Sequence, residues 1–130
     1  MNGMGPLNGN SILLLEDDEA LLDLIPRVLS QAGFVVTATA SAASARNLLE
    51  TNVFELIICD LSVIGGEAAF TFINSVNAAY PQMSFLIITG IASDNIRDQA
   101  ELHHIEIVEK PFAPTDLTAK VTQILKSRAA

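Results

Sequence analysis

Leu56-Ile57-Ile58-Cys59-Asp60 is an unbroken apolar run closed by a single carboxylate, with Gly65 and Gly66 following shortly after. A second run, Ile12-Leu13-Leu14-Leu15, ends in Glu16-Asp17-Asp18. Continuous apolar runs of this length are what a parallel sheet covered by helices on both faces requires, whereas a sheet wet on one side shows alternation. In an open parallel sheet the C-terminal strand ends share one edge, and the crevice outside that edge is where ligands bind and chemistry occurs. The carboxylates of the two runs therefore meet there. Like charges brought together and partly buried hold a cation, share a proton, or do both.

Working outward, strands are expected at 11–15, 34–38, 53–59, 84–89 and 105–109, and helices at 18–31, 41–51, 67–79, 93–101 and 114–127. Short β-rich runs alternating with longer segments of helical period predict an α/β fold, a doubly wound five-stranded parallel sheet with five helices. Boundary chemistry agrees: Gly33 lies just past the first helix, Ser41 suits an N-cap and Pro114 a first turn. Leu117, Val121, Ile124 and Leu125 form one apolar stripe on the last helix. Pro26 is the discordant residue, since inside a helix it costs about 3 kcal/mol or produces a kink. Residues 1–10, rich in Gly and Asn and without period, read as a flexible leader, which leaves 11–127 as the folded unit.

The chain has 130 residues, enough for one self-sufficient core. Half of them are hydrophobic, 50%, against 17% charged, which opposes disorder. A net charge of -8, with Lys and Arg numbering 7, provides no basic stripe, so nucleic acid is not an expected partner of this chain. The lone cysteine, Cys59, excludes an internal disulfide and reads as a small core thiol in a reducing compartment. No apolar stretch approaches the ~20 residues that span a bilayer, and the N-terminus has no charged region leading into an apolar one. A cytoplasmic protein without membrane contact is expected.

The sheet edge collects Glu16 and Asp17 from the first strand, Asp60 from the third, Thr89 from the fourth and Lys110 from the fifth. Pro111 pushes Lys110 toward extended geometry and permits a cis bond. A carboxylate can attack a phosphoryl group, further carboxylates can hold Mg²⁺ against its oxygens, and a lysine and a hydroxyl can bind the rest. His103 and His104 lack metal-ligand spacing and read as an exposed connection.

With Leu14-Leu15-Glu16-Asp17-Asp18, Ile57-Ile58-Cys59-Asp60-Leu61, Ile88-Thr89-Gly90 and Lys110-Pro111-Phe112 in this order and spacing, the chain resembles the receiver domain of bacterial two-component response regulators. The resemblance implies the flavodoxin-like strand order 2-1-3-4-5. It implies Asp60 as phosphoacceptor, Asp17 as direct ligand of Mg²⁺ (or Mn²⁺), Glu16 as ligand through water and Ser62 as ligand through its backbone carbonyl. Thr89 and Lys110 would engage the phosphoryl oxygens. The implied partners are a sensor histidine kinase or histidine phosphotransfer protein docking near the first helix and the Lys110 loop. A downstream protein or a separate output domain would be reached through the face formed by 93–101, 105–109 and the last helix, with a homodimer through that face left open. No enzyme activity is implied beyond self-phosphorylation and self-dephosphorylation.

Three positions depart from the family pattern: Ile64 where proline is common, Ala68 where glycine is frequent, and Ile107 where a switching aromatic ring is usual. A β-branched residue has no ring to swing and is stiff at its first torsion. Signalling is therefore expected to depend on the backbone of the loop from Gly90 to Asp94. Two alternatives follow: a degenerate receiver binding its partner without phosphate, and an aspartate-nucleophile phosphohydrolase of the haloacid dehalogenase type. The second is opposed by Ser62, which stands where that family needs a second aspartate.

Overall fold

Apolar runs 12–15, 56–59 and 85–88 become the three central strands of the computed structural model, which describes residues 10–129. The elements are β1 (Ser11–Leu15), α1 (Glu19–Gln31), β2 (Val35–Thr39), α2 (Ala42–Thr51), β3 (Leu56–Asp60), α3 (Leu61–Ile64), α4 (Gly66–Ala79), β4 (Ser84–Thr89), α5 (Asp94–Leu102), β5 (Glu106–Glu109) and α6 (Pro114–Ala129). All strand pairs are parallel and the order is β2-β1-β3-β4-β5, as expected. The leader expected over 1–10 lies, apart from Asn10, outside the described residues. Asn10 itself accepts the Val35 amide at 2.9 Å.

Period-two alternation divides each central strand between two cores. Leu13, Leu15, Ile57, Cys59, Phe85 and Ile87 face Ala45 and Leu49 of α2, Ala69, Ile73 and Val76 of α4 and Ala100 of α5. Ile12, Leu14, Leu56, Ile58, Leu86 and Ile88 face Ile25 and Leu29 of α1 and Leu117 and Val121 of α6. Both faces are thus covered, and each fully buried Leu or Ile contributes about 1.5–3 kcal/mol. That burial also explains α1, which runs through Pro26: the hydrogen bond lost to the ring is offset by Ile25 and Leu29 on the sheet.

Most boundaries follow local chemistry. Asp18, Ser41 and Ser93 cap α1, α2 and α5, accepting from the amides of Leu21, Ser44 and Ile96. Gly33, at φ 96°, closes α1 with the paired bonds of a left-handed C-cap, Phe34 to Leu29 and Gly33 to Ser30. The strand expected at 53–59 is shorter at its start. Val53 is 51% exposed, and β3 begins at Leu56, where pairing with β1 starts, and reaches Asp60. A sixth helix, α3, interrupts the stretch expected as a turn. Four residues are too few to show a period, and α3 depends on Asp60 as N-cap and on Gly65, at φ 97°, whose amide bonds the Leu61 carbonyl at 2.7 Å. No Cβ at Gly65 would clash, so the glycine is there for its backbone angle.

Candidate functional site

Strand pairing determines what meets at the C-terminal edge. β1 and β3 are neighbours, and Asp60 stands opposite Ile88 of β4, one residue before Thr89. Lys110 follows β5 and continues its ladder, its amide donating to the Thr89 carbonyl at 2.8 Å. The Lys110–Pro111 bond is cis.

Asp60 is fully buried, and both its oxygens have partners. Oδ1 accepts the Ser62 amide at 2.9 Å and the Ser62 hydroxyl at 2.8 Å, while Oδ2 takes the Lys110 ammonium. Burial alone would raise this carboxyl, but its neighbours Glu16, Lys110 and Ser62 together outweigh it and hold it below its ordinary value. Lys110 is likewise shifted: burial would lower it, and Asp60, with Glu16 and Asp18 behind, raises it instead.

Glu16 is equally buried but poorly matched. Its Oε2 accepts the amides of Asp17 and Asp18, each at 3.1 Å. Its Oε1 is buried without a hydrogen-bond partner, and the Lys110 ammonium lies 3.9 Å away. Burial first, and Asp60 next, push the Glu16 carboxyl up to about 7. Asp60 carries the donors, so a proton held by the pair belongs on Glu16 and not on Asp60.

One oxygen each from Glu16, Asp17 and Asp60 lie within 4.8 Å of one another, with Asp17 exposed to solvent. An orphaned buried carboxylate oxygen beside two more oxygen donors suits a hard divalent cation, for which Mg²⁺ takes one or two carboxylates and keeps several waters. The residue set fits the expected ion.

Thr89 is buried at the same edge, but its hydroxyl is occupied locally, donating to the Ile91 carbonyl at 2.9 Å and accepting the Ile91 amide at 3.2 Å. Ile107 lies in register with Ile87 and packs half-buried on the core below α5. Ile64 packs on the same core, and Ala68 is exposed on α4. Two features escaped sequence reasoning. The Ser62 side chain bonds Asp60 directly, a contact that an Asp at an N-cap followed two residues later by Ser could have signalled. The guanidinium of Arg97, which pairs with Glu109, had no local signal at all.

The profile of the response regulator receiver domain matches residues 12–122. Over 122 residues the chain is 30% identical to the transcriptional regulatory protein GltR of Pseudomonas aeruginosa, covering 92% of this chain and 50% of that one. The chain spans about half the length of the curated relatives it matches. Among solved structures it is similar to a CheY-like response regulator receiver domain protein of Methanospirillum hungatei, with TM-score 0.83 at 25% identity, over 92% of this chain and 96% of that one. It is also similar to a response regulator receiver protein of Sinorhizobium medicae, with TM-score 0.81 at 28% identity, over 94% and 98%.

Proposed function

The chain belongs to the response regulator receiver domain family, and on that premise we propose that Asp60 accepts a phosphoryl group from a phosphohistidine of a sensor kinase or phosphotransfer protein. The observation that carries this reading is the buried Asp60 carboxylate, held by Ser62 on one oxygen and Lys110 on the other, beside the carboxylates of Glu16 and Asp17.

An Asp60 oxygen attacks the phosphorus, the new P–O bond forms as the P–N bond breaks, and its electron pair leaves with the imidazole. Ser62 orients the carboxylate so that it need not reorganise at the moment of reaction. Lys110 stays protonated and neutralises charge on the phosphoryl oxygens, and Thr89 donates its hydroxyl to another. The residues that would hold Mg²⁺ or Mn²⁺ are Asp17, Asp60, the Ser62 backbone carbonyl and, through water, Glu16. Such an ion supplies charge neutralisation at the phosphoryl oxygens when bound.

In this reading the protein is a switch whose own chemistry extends only to its phosphorylation and dephosphorylation. The kinase docks near α1 and the Lys110 loop. The face of α5, β5 and α6 meets a downstream protein, an output domain or a second copy. The net charge of -8 argues against direct nucleic-acid contact. No helix among the described residues is long and apolar enough to cross a membrane, and we place the protein in the cytoplasm.

Intact-mass spectrometry after acetyl phosphate and Mg²⁺ treatment tests the assignment. Wild type gains one phosphoryl group and Asp60→Asn gains none. A wild type that stays unmodified with acetyl phosphate and with a partner kinase sinks the proposal in favour of a phosphate-independent receiver.

A further inference from the structure

The loop between β4 and α5 is held at two points. At its start Thr89 makes the two bonds to Ile91 described above. At its end the Arg97 Nε donates to the Ala92 carbonyl at 3.1 Å, and the same guanidinium pairs through Nη2 with Glu109, the last residue of β5. Glu109 in turn stands opposite Thr89 in the sheet register. One planar fork therefore ties the loop that leaves the phosphoryl edge to the outermost strand.

A hydroxyl has one hydrogen to give. When Thr89 donates to a phosphoryl oxygen on Asp60, it must release the Ile91 carbonyl. Ile91 is 77% exposed, so no side-chain packing holds that residue in place once the bond is lost. The next residue is Ala92, whose carbonyl is the acceptor of Arg97. Ile107 offers no competing route, being β-branched and packed on the core.

We infer that Arg97 carries the phosphorylation signal from the loop to α5 and β5, in the place that a swinging ring at position 107 would otherwise occupy. The inference rests on Asp60 being the phosphoacceptor. Arg97 is a positioning residue, since it bonds Ala92 and Glu109 and not Asp60. Its geometry needs the fork: a lysine can keep the charge pair with Glu109 but cannot hold both acceptors in one plane. Exposed ion pairs contribute little to stability, so the variants should fold.

The test is amide NMR of wild type, Arg97→Lys, Arg97→Ala and Glu109→Gln with Mg²⁺, before and after beryllofluoride as phosphoryl stand-in. In wild type, shifts are expected around Asp60, at Thr89 to Ala92, along α5 and at Glu109. In Arg97→Lys and Arg97→Ala the shifts around Asp60 and at Ile91 persist and those along α5 and at Glu109 are lost, whereas Glu109→Gln leaves the bond from Arg97 to the Ala92 carbonyl and with it the shifts along α5. The rate of phosphorylation by acetyl phosphate is unchanged in all three. Wild-type shifts along α5 in Arg97→Ala or Arg97→Lys overturn the inference. So does a wild type that responds at Asp60 while the segment from Ile91 to Glu109 stays still. No response even at Asp60 overturns the phosphoacceptor reading, and this inference with it.

Discussion

Replacing Glu16 by Gln isolates the proton that the clustered acids share. In the metal-free protein the Glu16 carboxyl is raised from 4.5 to about 7, first by burial and next by Asp60. Between those values the folded protein keeps a proton that the unfolded chain has already lost. Folding stability from this group is therefore complete below pH 4.5 and falls as pH rises to about 7, a loss of about 3 kcal/mol at roughly 1.4 kcal/mol per pKa unit. Asp60 shifts the other way: its contribution is present above its ordinary 3.8 and lost only as pH falls through its lowered value, so it adds no slope above pH 4.5. Lys110 is raised from 10.5 and is silent in the same window.

The Gln side chain reproduces the protonated acid. Its oxygen can accept the amides of Asp17 and Asp18, and its amide can point at Asp60, where Glu16 Oε1 now lacks a partner. In EDTA, urea unfolding of the two proteins should coincide near pH 4.5 and diverge until Glu16→Gln is more stable by about 3 kcal/mol above pH 7. Exposed carboxylates titrate alike in both and cancel. With Mg²⁺ the gap should narrow, because the wild-type carboxylate supports the bound ion and the neutral amide of the variant does not. Parallel stability curves from pH 4.5 to 8 in EDTA would refute the assignment of the shared proton to Glu16.

Three further outcomes are expected. Mg²⁺ at a hundredfold excess over Kd should stabilise the wild type by about 2.7 kcal/mol, and Asp17→Ala should abolish that gain; unchanged stabilisation by calorimetry removes Asp17 from the ligand set. His104 sits at φ 58° in a C-cap where Ile105 bonds Ala100 and His104 bonds Glu101, the same pattern that Gly33 makes after α1. His104→Gly should therefore stabilise the fold by about 1 kcal/mol, and a fall in the urea midpoint would contradict the reading. The Cys59 thiol is pushed up to about 12, by burial and then by the charges of Asp60 and Glu16. Thiol reagents at pH 8 should label it only as fast as the protein unfolds, and rapid labelling of the native protein would show the site to be open.

Much of the molecule was legible in its residues because the signals were local. Apolar runs identified the central strands, Ser41 located the start of α2, and Gly33 marked the end of α1. The same residues misjudged the start of β3, where Val53 is apolar yet half exposed, and missed α3, which exists only because Asp60 caps it. Five acids, hydroxyls and amines at strand ends were named from position alone, since parallel strands deliver their ends to one edge.

What the chain's order of residues determined was composition at that edge: which groups arrive there and from which strand. Geometry within the edge came from the tertiary fold. Only packing made Glu16 and Asp60 equally buried yet unequally partnered, leaving one oxygen of Glu16 without a donor while Lys110 and Ser62 converged on Asp60. Only packing brought Arg97 within reach of both Ala92 and Glu109. The physical reason is range. Strand and cap propensities act over a few residues, whereas hydrogen bonds and desolvation act between groups that approach only after the sheet has assembled.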